Sequence, residues 1–175
     1  MDVAVVDRFF ALTTLLGGLV GIALVVWALI DRRSLTAAVG PLLHPVAVLV
    51  AVGATVGSLA YSEVFGRVPC SLCWYQRIFM YSAAVIGVVS LVRRDRAVLP
   101  YMGTLSIFGG IVSIAHVLEQ NTSWFSAPVC VADVPCSIKY VNEFGFVSIP
   151  VMALGCFILI AAASLVAART TGDEA

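Results

Sequence analysis

Five long apolar runs constrain this chain more than anything else in its sequence. Residues 9–30, closed by Asp31, Arg32 and Arg33, are enough at ~1.5 Å rise per residue to cross a ~30 Å hydrocarbon layer. Further runs occupy 42–61, 74–92, 97–118 and 146–168. The chain is 61% hydrophobic and only 11% charged, with a mean hydropathy of +1.05, whereas a water-soluble domain carries about a quarter charged residues. Ten basic residues balance ten acidic ones, for a formal net charge of +0; nucleic-acid binding would need a basic surplus. So much apolar surface also rules out disorder. The expected fold is an all-α integral membrane protein of five spans.

The first run is kept as a span. A cleaved leader has a basic start and a shorter apolar stretch, whereas this one opens Met1-Asp2 and carries its arginines after the run. Connections 31–41 and 93–96 share one side of the membrane, and 62–73 and 119–145 share the other. Arg32, Arg33, Arg93, Arg94, Arg96 and Arg169 gather on the first side, against Arg8, Arg67, Arg77 and Lys139 on the second. The positive-inside rule makes the first side cytoplasmic, with the N-terminus out and the C-terminus in. Gly17 and Gly21, and Gly53 and Gly57, stand four apart and are expected to let helices of this chain approach one another. No repeat period is present.

Of the five cysteines, Cys70, Cys73, Cys130 and Cys136 fall in the two exterior connections and Cys156 falls mid-span. Outside the cytoplasm thiols are oxidised, so these four are expected to pair, in any of three ways. Structural staples explain Cys130 and Cys136 well enough by themselves. They explain Cys70-Ser71-Leu72-Cys73 poorly, because so short a loop constrains the unfolded chain little; the spacing suits a dithiol that cycles. Zinc would want a second C-x-x-C, which the spacing after Cys130 does not supply, and no metal site is expected.

Cys73 is followed by Trp74-Tyr75-Gln76-Arg77, which opens the third span at the exterior surface. A helix N-terminus and Arg77 one turn deeper would both favour a Cys73 thiolate, placed to pass electrons to a lipid-soluble acceptor. An arginine at that depth is costly unless it works, whereas Trp74 and Tyr75 read as an ordinary aromatic belt. His116, near the exterior end of the fourth span, is a candidate partner for an acceptor carbonyl. His44 reads as structural and Cys156 as a small core residue.

Pro69-Cys70-Ser71-Leu72-Cys73-Trp74-Tyr75-Gln76-Arg77-Ile78 resembles the signature of the DsbB family of membrane thiol:quinone oxidoreductases. Val134-Pro135-Cys136, Tyr140 to Phe146 and Ile149-Pro150 resemble its short-loop, BdbC-like branch. The resemblance covers about residues 42–168. It implies a four-helix transmembrane bundle in a bacterial cytoplasmic membrane that binds a quinone, ubiquinone or menaquinone, and reoxidises a DsbA-like thioredoxin-fold partner. Carried over by motif, Cys70 and Cys73 form the quinone-proximal pair, with Cys73 nearest the ring and Arg77 supporting quinone and thiolate. Cys130 and Cys136 form the partner-facing pair, with Cys130 taking the mixed disulfide and Cys136 resolving toward Cys70. One departure is plain: residues 1–41 add a helix and a cytoplasmic loop ahead of the bundle at 42–168, and 169–175 form a short tail.

Two other readings compete. The vitamin K epoxide reductase type uses similar parts but places its C-x-x-C after the loop pair, whereas here it comes first. A non-catalytic subunit stapled by disulfides would need no quinone at all.

Overall fold

The computed structural model describes residues 3–122, 128–130 and 134–172. It is all-helical, and five of its helices are long and apolar enough to cross a membrane. They are α1 (Val3–Ile30), α2 (Arg32–Leu59), α3 (Ser71–Arg93), α4 (Leu99–Asn121) and α5 (Ile149–Gly172). A π-turn (Ala60–Val64) extends α2, and a 3₁₀ turn (Pro128–Cys130) interrupts the long loop. Among the described residues the only strand-like feature is an isolated bridge between Glu143 and Val147.

Each expected span is a helix, with one boundary moved far. The cytoplasmic connection expected at 31–41 is helical: α1 stops at Ile30 and α2 begins at Arg32, leaving Asp31 alone between them. Asp31 makes this possible as an N-cap, its carboxylate accepting from the Ser34 amide at 3.1 Å. Pro41 and Pro45 then lie inside the helix. Each removes a backbone donor, but Leu35, Gly40, Leu43 and His44 are buried along the same stretch, and that packing overrides the local preference. α3 starts one turn earlier than expected because Cys70 caps it. The exterior loop expected at 119–145 and the tail at 169–175 lie partly outside the described residues.

α5 is the centre of the bundle, packing on α4, α1 and α2, while α3 closes the other side against α2 and α4. The main core joins Leu35, Val48, Met80, Leu99, Met102 and Phe157. Small residues set the closest approaches. A Cβ on Gly21 would lie 2.8 Å from the Leu159 backbone, and one on Gly155 would strike the carbonyl of Thr14. Gly21 thus serves packing of α1 on α5 within this chain, as expected of the glycine spacing, whereas a Cβ on Gly53 would meet nothing within 4 Å. The opposite face of α1 exposes Phe9, Leu12, Leu16 and Leu19, an apolar stripe suited to lipid.

Polar contacts gather at one end of the bundle. Arg8 pairs with Glu143 at 3.3 Å. Asp7, buried on α1, receives both terminal nitrogens of Arg67, at 3.0 and 2.7 Å, and the Tyr61 hydroxyl at 3.0 Å. Gly66 permits this by taking φ +64°, after which the Arg67 amide bonds back to the Tyr61 carbonyl at 3.0 Å. The start of α1, the segment ahead of Cys70 and the long loop therefore share one end.

Candidate functional site

Cys70 occupies the N-cap of α3, with φ −75° and ψ 174°, and its sulfur accepts from the Cys73 amide at 3.4 Å. Helical spacing then returns Cys73 to the same side, and the two free sulfurs stand 3.0 Å apart. The sequence favours Cys73 for stabilisation by the helix terminus; in the structure the capping position, and with it the amide, goes to the Cys70 sulfur. The Cys70 thiol is pulled well below its ordinary range by the hydrogen bond from Cys73 and, after that, by His116, against the opposing effect of burial.

His116 joins the two cysteine pairs. Its Nε2 lies 3.6 Å from the Cys70 sulfur and 3.1 Å from the Cys136 carbonyl oxygen. A carbonyl only accepts, so Nε2 carries the proton, and Nδ1 accepts from the Gln76 amide at 3.5 Å. The ring is 1% exposed. Cys136 is bonded to Cys130 as a disulfide with its Cα atoms 5.6 Å apart. Cys70, Cys73, Cys130 and Cys136 belong to one apolar cluster with Leu72, Val112 and Val134. The two cysteine-bearing loops therefore meet.

On its other side Cys73 faces a cavity of about 110 Å³ among α1, α2, α3 and α5. Arg77 and Gln76 supply polar groups to it, and Met80, Met152 and Phe157 apolar wall. Arg77 does not reach for the surface. It is 8% exposed, its Nε donates to the Ser58 hydroxyl at 3.0 Å and its Nη2 to the Ser58 carbonyl at 2.8 Å. Its guanidinium lies 5.3 Å from the centre of the Trp74 ring. Ser58 is just ahead of the π-turn, where the Phe65 amide reaches back five residues to Ala60; such irregular turns recur at functional sites.

Sequence reasoning named the four cysteines, Arg77 and His116, and the structure gathers them at one end of the bundle. His116 does not line the cavity beside Arg77; it borders a smaller hollow with Cys70, Cys73 and Pro135. Cys156 is buried, and it also touches the larger cavity. His44 is buried with Nε2 2.7 Å from the Ser90 hydroxyl. Trp74 and Tyr75 point outward and are exposed. Sequence reasoning missed Gln76, which orients His116, Ser58, which holds Arg77, and the Asp7–Arg67–Tyr61 cluster. The signal for Asp7 was an acid beside a long apolar run. Cys70, Cys73 and His116 are also, among the described residues, the one group of three potential metal ligands, their ligand atoms within 4.8 Å.

Comparison with known proteins gives a family. The model of the family described as disulfide bond formation protein DsbB matches residues 41–167. Disulfide bond formation protein C of Bacillus subtilis is 46% identical over 113 residues, covering 64% of this chain and 82% of the relative. A probable disulfide formation protein of Oceanobacillus iheyensis is 44% identical over 125 residues, covering 70% of this chain and 86% of the relative. Probable disulfide formation protein C 1 of Bacillus anthracis is 41% identical over 114 residues, covering 65% and 82%. No solved structure gives a significant match.

Proposed function

The chain belongs to the DsbB family of disulfide bond formation proteins, and from that premise we propose that it is a membrane thiol:quinone oxidoreductase that reoxidises a DsbA-like thioredoxin-fold partner. That it is a multi-pass membrane protein of a disulfide-generating family follows from its five spans and its family. One observation carries it: the Cys70–Cys73 pair touches the Cys130–Cys136 loop through His116 on one side and an apolar cavity holding a buried arginine on the other.

A quinone ring fits what lines that cavity. Arg77 and Gln76 offer the donors that quinone oxygens accept, and Met80, Met152 and Phe157 an apolar wall against which a flat ring can pack. Arg77 and Gln76 would face its oxygens and Cys73 would lie against it. When bound there, a quinone supplies the oxidising power, taking up two electrons and two protons.

The chain's own residues carry the electrons by thiol–disulfide exchange, in which a thiolate attacks a disulfide sulfur in line and one thiolate leaves for each that attacks. A thiolate of the partner dithiol attacks Cys130 and releases Cys136. The second partner thiol displaces Cys130, leaving the partner oxidised and the loop pair reduced. With Cys70 and Cys73 oxidised, Cys136 attacks Cys70, and Cys73 leaves as a thiolate on the cavity side. Cys130 then displaces Cys70, re-forming Cys130–Cys136. Electrons thus end on Cys70 and Cys73. His116 Nε2–H stabilises the Cys70 thiolate as it departs.

The test is purified protein in detergent, given a reduced thioredoxin-fold protein and a short-tailed quinone whose absorbance is followed. Turnover is expected, and Cys73→Ser should stop it while the Cys130–Cys136 disulfide still accepts one dithiol equivalent. Quinone reduction that survives Cys73→Ser would overturn the reading, as would a folded, oxidised protein that passes no electrons. In the second case the loops are only stapled.

A further inference from the structure

We propose that α1, which precedes the residues matched by the family model, is a working wall of the acceptor cavity, and that Phe10 and Thr14 on it determine which quinone ring the site admits. This rests on the reading of the cavity as the quinone site.

Phe10 and Thr14 both line the cavity, opposite Cys73, Gln76 and Arg77 on α3. The Phe10 ring is held in place. Its centroid lies 5.7 Å from that of Tyr61, and it is seated on α2 where that helix carries no side chain, since a Cβ on Gly57 would approach it to 3.1 Å. The Thr14 hydroxyl is committed to the Phe10 carbonyl at 2.7 Å, so it offers the cavity no free donor.

Two anchors fix the helix that carries them. Above, the buried Asp7 carboxylate grips Arg67 in a two-pronged pair and accepts from Tyr61, and both Arg67 and Tyr61 belong to the cavity lining themselves. Below, the glycine contacts bring the α1 and α5 backbones together at Thr14–Gly155 and Gly21–Leu159. A wall pinned at both ends cannot yield to a larger ring, so its side chains set the available volume. Removing one side chain from such a wall changes the fit of one ligand relative to another by about tenfold or more. The other walls come from α2, α3 and α5, which lie largely within the matched segment. The specificity carried by α1 therefore lies outside the segment that the family model matches.

The experiment measures equilibrium binding, independent of turnover, to the oxidised full-length protein in detergent. The probes are a short-tailed ubiquinone, with one ring, and menadione, with two. Dissociation constants come from the rise of the thermal unfolding midpoint with probe concentration. Phe10→Ala is expected to weaken the one-ring probe at least about fivefold and to shift preference toward menadione. Phe10→Trp should shift preference the opposite way, and Thr14→Ala, the mildest change, should follow Phe10→Ala with smaller size. Ala54→Phe, which fills the same cavity from α2, should weaken both probes. If Ala54→Phe weakens both but the Phe10 and Thr14 variants leave both constants within about twofold, the role of α1 fails and the acceptor site stands. If Ala54→Phe also changes nothing, the cavity is not the quinone site and both readings fall. Should Phe10→Ala not fold, the Phe10→Trp and Thr14→Ala pair decides the question by the sign of the preference shift.

Discussion

At the scale of single residues, the contacts around Cys70 favour its charged form. The sulfur takes the capping position of α3, a neighbouring thiol donates to it, and a histidine proton faces it. Because the folded Cys70 thiol is held below its ordinary range by the hydrogen bond from Cys73, the sign is that of a depressed acid. The stability it gives the reduced protein is fully present above the ordinary value and is lost as pH falls through the lowered folded value. Thiolate ultraviolet absorbance of the reduced protein should therefore persist below the ordinary thiol range, and Cys70→Ser should remove that low-pH transition. An absorbance lost already near the ordinary thiol value would show that the cap and His116 do not act this way. Cysteines, arginine and histidine were all legible in the sequence as suspects, since each is costly or unusual where it stands. The assignment of the cap to Cys70 was not, because a helix start is uncertain by a turn until its capping contacts are seen.

At the scale of elements, α1 is held to the rest by a buried ion pair and by small-residue packing, two interactions that fail differently. The side chains of Arg67 and Asp7 are 11% and 10% exposed. Asp7→Ala leaves the Arg67 charge buried without its partner, and should cost about 3–5 kcal/mol. Asp7→Leu combined with Arg67→Met should recover most of that loss, since an apolar replacement of both partners avoids the buried charge. Thermal unfolding of the three proteins in detergent measures the difference; a single variant as stable as the parent would mean that the pair carries no weight. The helical runs themselves could be read from hydrophobic length alone. The continuation of α2 through Pro41 and Pro45 could not, because proline argues against helix locally and only the burial of Leu35, Leu43 and His44 against neighbouring helices reverses that argument.

At the scale of the whole molecule, both cysteine loops belong on one face of the membrane and the Arg93–Arg96 turn on the other. Labelling with a membrane-impermeant maleimide in intact cells tests it, in a background where the native cysteines are replaced. Lys139→Cys should react from outside and Arg94→Cys only after the cells are opened; the reverse pattern would overturn the exterior assignment. Hydrophobic lengths, the cysteine partition and the ten-residue motif were enough to specify a five-helix membrane protein with a candidate dithiol at one helix start, because spanning length and thiol spacing are properties of local sequence. They did not say that His116 turns from the cavity toward Cys136, that Arg77 rests on Ser58, or that α1 closes the cavity with Phe10. Those are pairings between residues far apart in the chain. They follow from which helix faces pack together, and that is settled by the joint fit of small residues, buried charge and apolar volume across all five helices.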